Sequence, residues 1–445
     1  MKTGRVAGFF TSGEWQGKSA KKSANKFEII WSDKTYTHIY QHLGAYLLIE
    51  ESRQIMVDSP HQFEPLIPSV IPVGVTDKAN RLALSAGRLG AMAHPSVRAV
   101  LRELVRSMCS YYSNRIEGQG THPRHIEQAL RKNFSARPEV ARLQRIAVTH
   151  IDAERELEAL VRAGTSPMSG AMLMASHRAF YERLATEDRT TQDGHVIAPG
   201  ELRAVSVEVG HHVPPSAAAL PAFLARMDQV YNKPMTLEAQ LIAIACLHHR
   251  AAWVHPFRDG NGRAVRLQSH CALWLLSDGL WSPSRGLARS VPRYYARLHN
   301  ADLPRRGDLD GRGNLSTAGL LEWVDFFLDI CLDQVDFMHR MLALDSMKTR
   351  IDALITFRAA TDKAMRAEAI LPLHHVFSAG PVSRREFAQL TGLGERTARA
   401  LLSRMLATGL LVSDTPLGPV RFGLPLDALQ FLLPELYPEA STRAD

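Results

Sequence analysis

Cysteine is scarce. The chain has 445 residues and four cysteines, Cys109, Cys246, Cys271 and Cys331, with no CxxC pair. That spacing fits reduced, mostly buried thiols in a cytoplasm better than a disulfide framework or a zinc site. No stretch approaches the roughly 18 uninterrupted apolar residues that a membrane span needs, so no membrane partner is expected. The opening residues, MKTGRVAGFFTSGEW, lack the apolar run of a secretory signal. There is no HExxH and no His-Asp dipeptide, which removes the zincin and His-Asp phosphohydrolase readings. Most of His248, His249 and His255, with His211 and His212 nearby, are accordingly read as packing or surface residues rather than a metal cluster. No internal repeat is present.

What is present begins with charge. Lys and Arg total 53 against 45 Asp and Glu, a formal excess of +8 that favours anionic partners without choosing among them. The length predicts several domains. Residues 1–75 are the hardest to read. Gly13, Gly17, Lys18 and Ser19 approach a P-loop, but the glycines stand one residue too close and no clear strand precedes them. Residues 27–57 mix apolar and polar positions and fit two short strands or a helix pair. Residues 76–135 turn helical, and Gly118 and Gly120 supply the stop signals. Residues 136–345 read as a mainly helical core. Its one strand-turn signal is Leu202 to Val213, where Val205, Val207 and Val209 alternate before a turn, predicting a small β-hairpin. Residues 346–445 change character. Ser383 and Glu386 make a capping box, Glu395–Ala407 is a second helix, and Leu410–Val412 and Val420–Phe422 flank a Pro/Gly turn. Helix, turn, helix and a two-stranded wing describe a winged helix-turn-helix domain.

The chemistry concentrates in His255 to Arg266, HPFRDGNGRAVR. Pro256 disfavours helical geometry at His255, so the preceding helix ends there. Gly260 and Gly262 permit tight turns that expose backbone N–H groups on a concave side. Asn261 to Arg263 open a new helix, whose N-terminal amides attract an anion. Arg263 and Arg266 are three apart on one helix face, and their guanidinium forks suit phosphate oxygens. Asp259 is a hard oxygen ligand beside that anion site, as Mg²⁺ on phosphates requires. His255 has the side chain suited to a general base near neutral pH.

The segment resembles the Fic family signature, HxFx(D/E)GNGRxxR, at His255, Phe257, Asp259, Gly260, Asn261, Gly262, Arg263 and Arg266. The resemblance implies an all-helical core with a hairpin flap and transfer of AMP from ATP to a Ser, Thr or Tyr hydroxyl of a target protein, or of the chain itself. It implies His255 as the base, Asp259 on Mg²⁺, and Gly260, Asn261 and Gly262 as a phosphate cradle. Arg263 and Arg266 are implied at the β- and γ-phosphates, and Phe257 as the loop's anchor in the core. Residues 200–215 look like the flap, whose edge takes a target segment by strand addition. Tyr295 is either a wall of the adenine pocket or a plain aromatic.

Upstream, Ser113, Glu117 and Gly118 match the family's inhibitory motif, (S/T)xxxE(G/N). The resemblance implies that Glu117 occupies Arg266 in place of the γ-phosphate. In some relatives the same glutamate orients a water that removes AMP, so a brake, a hydrolytic base or both stay open. Arg396, Arg399 and Arg404 on the candidate recognition helix leave DNA binding and protein docking equally open. The expected function is an autoinhibited protein adenylyltransferase. The alternatives are a DNA-binding regulator with a nucleotide-sensing domain, and a bifunctional enzyme. A homodimer is compatible with all three.

Overall fold

The computed structural model describes residues 58–191, 193–210 and 212–437. The P-loop-like stretch at 13–19, the segment 27–57 and His211 lie outside the described residues. The chain is mainly helical. Its first half builds α1 (Val73–Leu89), α2 (Pro95–Ile116), α3 (Pro123–Leu130), α4 (Pro138–Arg162) and α5 (Gly170–Tyr181). Three of these start on proline, whose fixed φ and missing N–H suit the first helical turn. Then come α6 (Leu220–Tyr231), α7 (Leu237–Val254), α8 (Asn261–Ser277), α9 (Pro283–Ala288), α10 (Val291–Asp302) and α11 (Thr317–Leu342).

The core is organised around α7 and α11. In α7 nearly every residue from Leu241 to Val254 is buried, the mark of a helix enclosed on all sides. α11 packs on α1, α7, α9 and α10. Trp323, wholly buried, donates its indole N–H to the Ala245 carbonyl of α7 at 2.6 Å. Enclosure makes α7 a rigid mount for whatever follows its last turn.

The described part of the N-terminal region joins this core. Phe63 is fully buried, with its ring 5.2 Å from Phe223 and 5.0 Å from Trp253. Arg250, also wholly buried, donates to the Pro65 carbonyl at 2.8 and 3.0 Å.

Beyond α11 lie α12 (Leu344–Ala359), α13 (Ile370–Ala379), α14 (Arg384–Leu390), α15 (Glu395–Ala407), strands β1 (Leu411–Val412) and β2 (Arg421–Phe422), and α16 (Leu429–Leu432). The strands pair antiparallel, Leu411 with Phe422 and Val412 with Arg421. Ser383 caps α14 by accepting the Glu386 N–H at 3.1 Å. This segment folds back onto α2: the Tyr437 hydroxyl donates to the Ser107 carbonyl at 3.2 Å, and its ring lies 5.4 Å from Tyr111.

The hairpin expected over Leu202–Val213 is reduced to one antiparallel bridge, Val209 with His212. Alternation marks one face of a strand, but a strand needs a partner. Here Val205 is exposed, and Arg203 is tied to the next loop instead. No helix among the described residues is long and apolar enough to cross a membrane.

Candidate functional site

The site is built at the junction of α7 and α8. His255 caps α7 in the left-handed region, at φ 47° and ψ 60°. Left-handed geometry on a non-glycine residue costs energy and is held by its surroundings. The buried Arg203 provides the hold, donating from Nε to the His255 carbonyl at 2.9 Å and from its backbone N–H to the Pro256 carbonyl at 2.9 Å. Burial, with His212 and Arg203 adding to it, pushes the His255 imidazole down to about 3. It is therefore neutral at neutral pH and able to accept a proton.

The loop then closes on itself. The Phe257 N–H donates to Asn261 Oδ1 at 2.9 Å, and Asn261 Nδ2 returns a bond to the Phe257 carbonyl at 2.8 Å. The Asn261 side chain is thus committed to loop shape, and its contribution to any cradle is its backbone amide. Phe257 is fully buried and stacks on His177, centroids 3.9 Å apart. The Gly200 N–H donates to His177 Nδ1 at 2.9 Å, which leaves Nε2–H to donate to the Asp259 carbonyl at 3.1 Å. Phe257→Ala removes this anchor and is expected to cost about 3–5 kcal/mol in a urea or thermal unfolding measurement.

Gly260 sits at φ 75°, where Tyr181 already fills the space of a side chain. The first helical bond of α8 runs from the Ala264 N–H to the Gly260 carbonyl at 3.0 Å, so the amides of Asn261, Gly262 and Arg263 precede the ladder. Four-residue deficits of this kind make helix N-termini anion sites. Arg263 is buried, donating to the Tyr181 hydroxyl at 2.8 Å and to Gln119 Oε1 at 2.7 Å, while its Nε is buried with no partner. The Asp259 carboxylate, partly exposed, accepts the Gly260 N–H at 2.6 Å.

Glu117 reaches into this same space. It caps the C-terminus of α2, with Gly118 following at φ 70°. Arg266 Nη2 donates to Glu117 Oε1 at 2.5 Å and to the Ser113 carbonyl at 3.1 Å, while its Nε donates to the Ser113 hydroxyl at 2.9 Å. A Cβ placed on Gly262 would meet Glu117 Oε1 at 2.5 Å, which locates the carboxylate beside Gly262 in the first turn of α8. Burial alone would raise the Glu117 pKa, but the charges of Arg266 and Arg263 outweigh it and hold the carboxyl below its usual 4.5. Tyr295 is partly buried, stacked on Tyr294 at 5.3 Å, with its hydroxyl 3.5 Å from the Ile116 carbonyl. That contact puts it beside the end of α2.

His255, Phe257, Asp259 and the start of α8 thus form one continuous loop, Ser113 and Glu117 bind its Arg266, and Tyr295 touches the end of α2 that carries Glu117. Sequence reasoning missed Tyr181, Gln119, His177 and Arg203. Arg203 lies in the stretch read as the flap, where it was given no role, and nothing in local pattern marks the others.

Comparison with known proteins finds a family match over the segment that carries this loop. The model of the Fic/DOC family matches residues 169–273. The protein adenylyltransferase Fic of Drosophila grimshawi is 39% identical over 77 residues, 17% of this chain and 16% of that protein. Its counterpart in Culex quinquefasciatus is 35% identical over 77 residues, 17% of this chain and 15% of that one. The chain thus spans about a sixth of the length of these curated relatives. Among solved structures, a Fic family protein from Desulfovibrio desulfuricans is similar with a TM-score of 0.46 and 18% identity, over 80% of this chain and 98% of that one. Fic-1 from C. elegans gives a TM-score of 0.45 and 17% identity, over 60% and 72%. Residues 169–273, enclosing the loop from His255 to Arg266, form a Fic domain.

Proposed function

We propose that the chain transfers AMP from ATP to a protein hydroxyl and that its own α2 holds the site off. The observation that carries this reading is the meeting of a neutral His255, the amides at the start of α8 and two buried guanidinium groups around one space.

The residues fit a polyphosphate. The orphaned Arg263 Nε is a donor awaiting an acceptor, and the carboxylate beside Gly262 stands where an anion's oxygen belongs. The amides of residues 261–263 and Arg263 would bind the α- and β-phosphates, and Arg266, once freed from Glu117, the γ-phosphate. Asp259 would hold Mg²⁺, which when bound neutralises phosphate charge. His255 takes the proton of the acceptor hydroxyl as that oxygen attacks the α-phosphorus. The bond to the β-phosphate breaks and pyrophosphate leaves. The positioned donors supply most of the rate through orientation and charge stabilisation.

One guanidinium cannot serve a carboxylate and a phosphate at once. Glu117 on Arg266 therefore leaves ATP without its γ-phosphate contact, and the α-phosphorus out of line. Labelling with AMP-tagged ATP tests the transfer, and mass spectrometry of the labelled protein identifies the acceptor.

The reading of residues 346–445 as a DNA-binding winged helix is a second proposal, and the charges on α15 weaken it. Arg399 pairs with Glu395 and Arg404 with Asp362. Arg396 is exposed, with no ion pair among the described residues. One unpaired cation is a thin phosphate-binding face, since duplex affinity grows with each phosphate neutralised. The full chain is expected to give no sequence-selective shift of DNA at physiological salt. A salt-resistant, sequence-dependent shift would restore the regulator reading.

A further inference from the structure

One turn beyond Arg266 along α8, three helices turn ionisable faces toward one another. On α4, His150, Glu154 and Glu158 repeat every four residues and so share a face. On α2, Arg106 and Cys109 stand three apart, and on α8 His270 follows Arg266 by four. All are buried: Cys109 is 1% exposed, His150 and Glu154 2%, His270 3%.

Part of this cluster is satisfied. Arg106 binds Glu158 through Nη2 at 2.6 Å and Nε at 3.3 Å. His150 and one oxygen of Glu154 are not. Both ring nitrogens of His150 and Oε2 of Glu154 are buried without a hydrogen-bond partner, although His150 Nδ1 points at that oxygen from 3.9 Å. His270 Nε2 lies 3.4 Å from the other oxygen of Glu154 and 3.1 Å from Glu158. One ligand atom each from Cys109, Glu154 and His270 lies within 4.8 Å of the others. Buried polar groups are ordinarily paired, so an orphaned imidazole beside an orphaned carboxylate oxygen calls for a missing partner.

We propose that Cys109, His150, Glu154 and His270 form a buried tetrahedral site for a divalent transition metal of the Zn²⁺ class. One thiolate, one carboxylate and two imidazoles are the donor set that zinc accepts, and four such donors close the shell of a structural site. Around a tetrahedral ion, neighbouring donors stand roughly 3.3–3.8 Å apart, given metal–ligand bonds of about 2.0–2.3 Å. Cys109, Glu154 and His270 therefore need to contract by about 1 Å, and His150, 3.9 Å from the unpaired Glu154 oxygen, to turn onto the ion. The charges also close. The ion balances the Cys109 thiolate and the Glu154 carboxylate, while Arg106 and Glu158 neutralise each other. On loading, the thiol releases its proton to solvent, as do Glu154, whose carboxyl burial pushes up to about 7, and His270 wherever they are protonated. Glu158 keeps its two bonds from Arg106 when His270 turns to the metal. Because every ligand is buried, the ion enters as the chain folds, and its binding energy becomes folding energy. It would fasten α2 and α8 to α4, one turn from Arg266.

The untagged full-length chain should be expressed in zinc-supplemented and in cobalt-supplemented medium and its metal content measured by plasma mass spectrometry after dialysis. About one equivalent per chain is expected to survive. The cobalt protein should carry a thiolate-to-cobalt charge-transfer band in the near ultraviolet. Cys109→Ser should lose the band, and Cys109→Ser and His270→Gln should each lose most of the metal. Metal-free native protein, cobalt without a thiolate band, or metal content unchanged in the variants each overturns the site. If the variants do not fold, the spectrum of the native cobalt protein decides alone. None of these readouts uses AMP transfer, so the site and the proposed reaction stand or fall separately.

Discussion

Glu117→Gly protein, incubated with Mg²⁺ and AMP-tagged ATP, is expected to label itself or a lysate protein at least about tenfold faster than the native chain, a change of ~1.4 kcal/mol in the barrier. The estimate follows from what Arg266 is doing. A carboxylate 2.5 Å from a buried guanidinium, with Ser113 completing the same fork, must be displaced before that fork can meet a phosphate. At an effective dielectric of about 20 the attraction approaches ~4 kcal/mol at contact, less the cost of burying the charges. Removal of the side chain also clears the space beside Gly262 in the first turn of α8, where the carboxylate now stands. The direction of the Glu117 shift says when the latch holds. Its folded value lies below the unfolded one, so the latch contributes fully above the ordinary carboxylate value and weakens only as pH falls through the depressed one. Throughout the neutral range it stays closed, and its release needs a conformational cause rather than a proton. An ordered substitution series discriminates further: Glu117→Gln keeps the shape, loses the charge and should fall between native and glycine. Should Glu117→Gly and native protein remain equally silent on every substrate, the transferase reading fails.

Much of the site was legible in the sequence because its residues are close in the chain. His255 to Arg266 lie within twelve positions, and each has a local reason for its place: a helix-stopping proline, turn glycines, a helix start and arginines on one face. The helices α7, α8 and α11 were legible for a similar reason, since long helical periodicity signals itself. Glu117 is separated from Arg266 by 149 residues, and only a second motif announced it. Tyr181 and Gln119, the partners of Arg263, belong to no pattern, because the packing of α5 and α2 against α8 brings them there. The hairpin is shortened to a single bridge on the same ground, from the other side. Alternating valines describe a strand, yet pairing depends on what lies next to them, and Arg203 is drawn to the backbone after α7. The cluster beyond Arg266 was invisible too. Cys109, Glu154 and His270 come from three helices far apart in sequence, and spacing carries no trace of their meeting.

His255→Ala, made in the Glu117→Gly background so that a rate is measurable, is expected to lower AMP transfer by roughly 10²–10⁴-fold, the ordinary contribution of a general base. Nucleotide affinity should survive, because the anion-binding groups are elsewhere. The amides of residues 261–263 belong to α8, and Arg263 and Arg266 are held by Tyr181, Gln119 and Ser113 rather than by the imidazole. The loop should keep its shape as well. It is Arg203 and the Phe257–Asn261 pair that fix the backbone, and Arg203 grips the carbonyl of residue 255, which alanine retains. Equilibrium binding of an ATP analogue, measured beside the transfer rate, separates the two effects. An affinity within about threefold of the parent, with transfer lost, assigns His255 to the proton; that margin is ~0.65 kcal/mol. A parallel loss of binding would mean that His255 supports the phosphate site, and the base would have to be sought among other groups in the cleft. The imidazole's low pKa adds a second readout. Pushed down to about 3 by burial, it stays neutral well below pH 6.5, so in the nucleotide-free enzyme kcat/KM should show no acid limb at the ordinary histidine value.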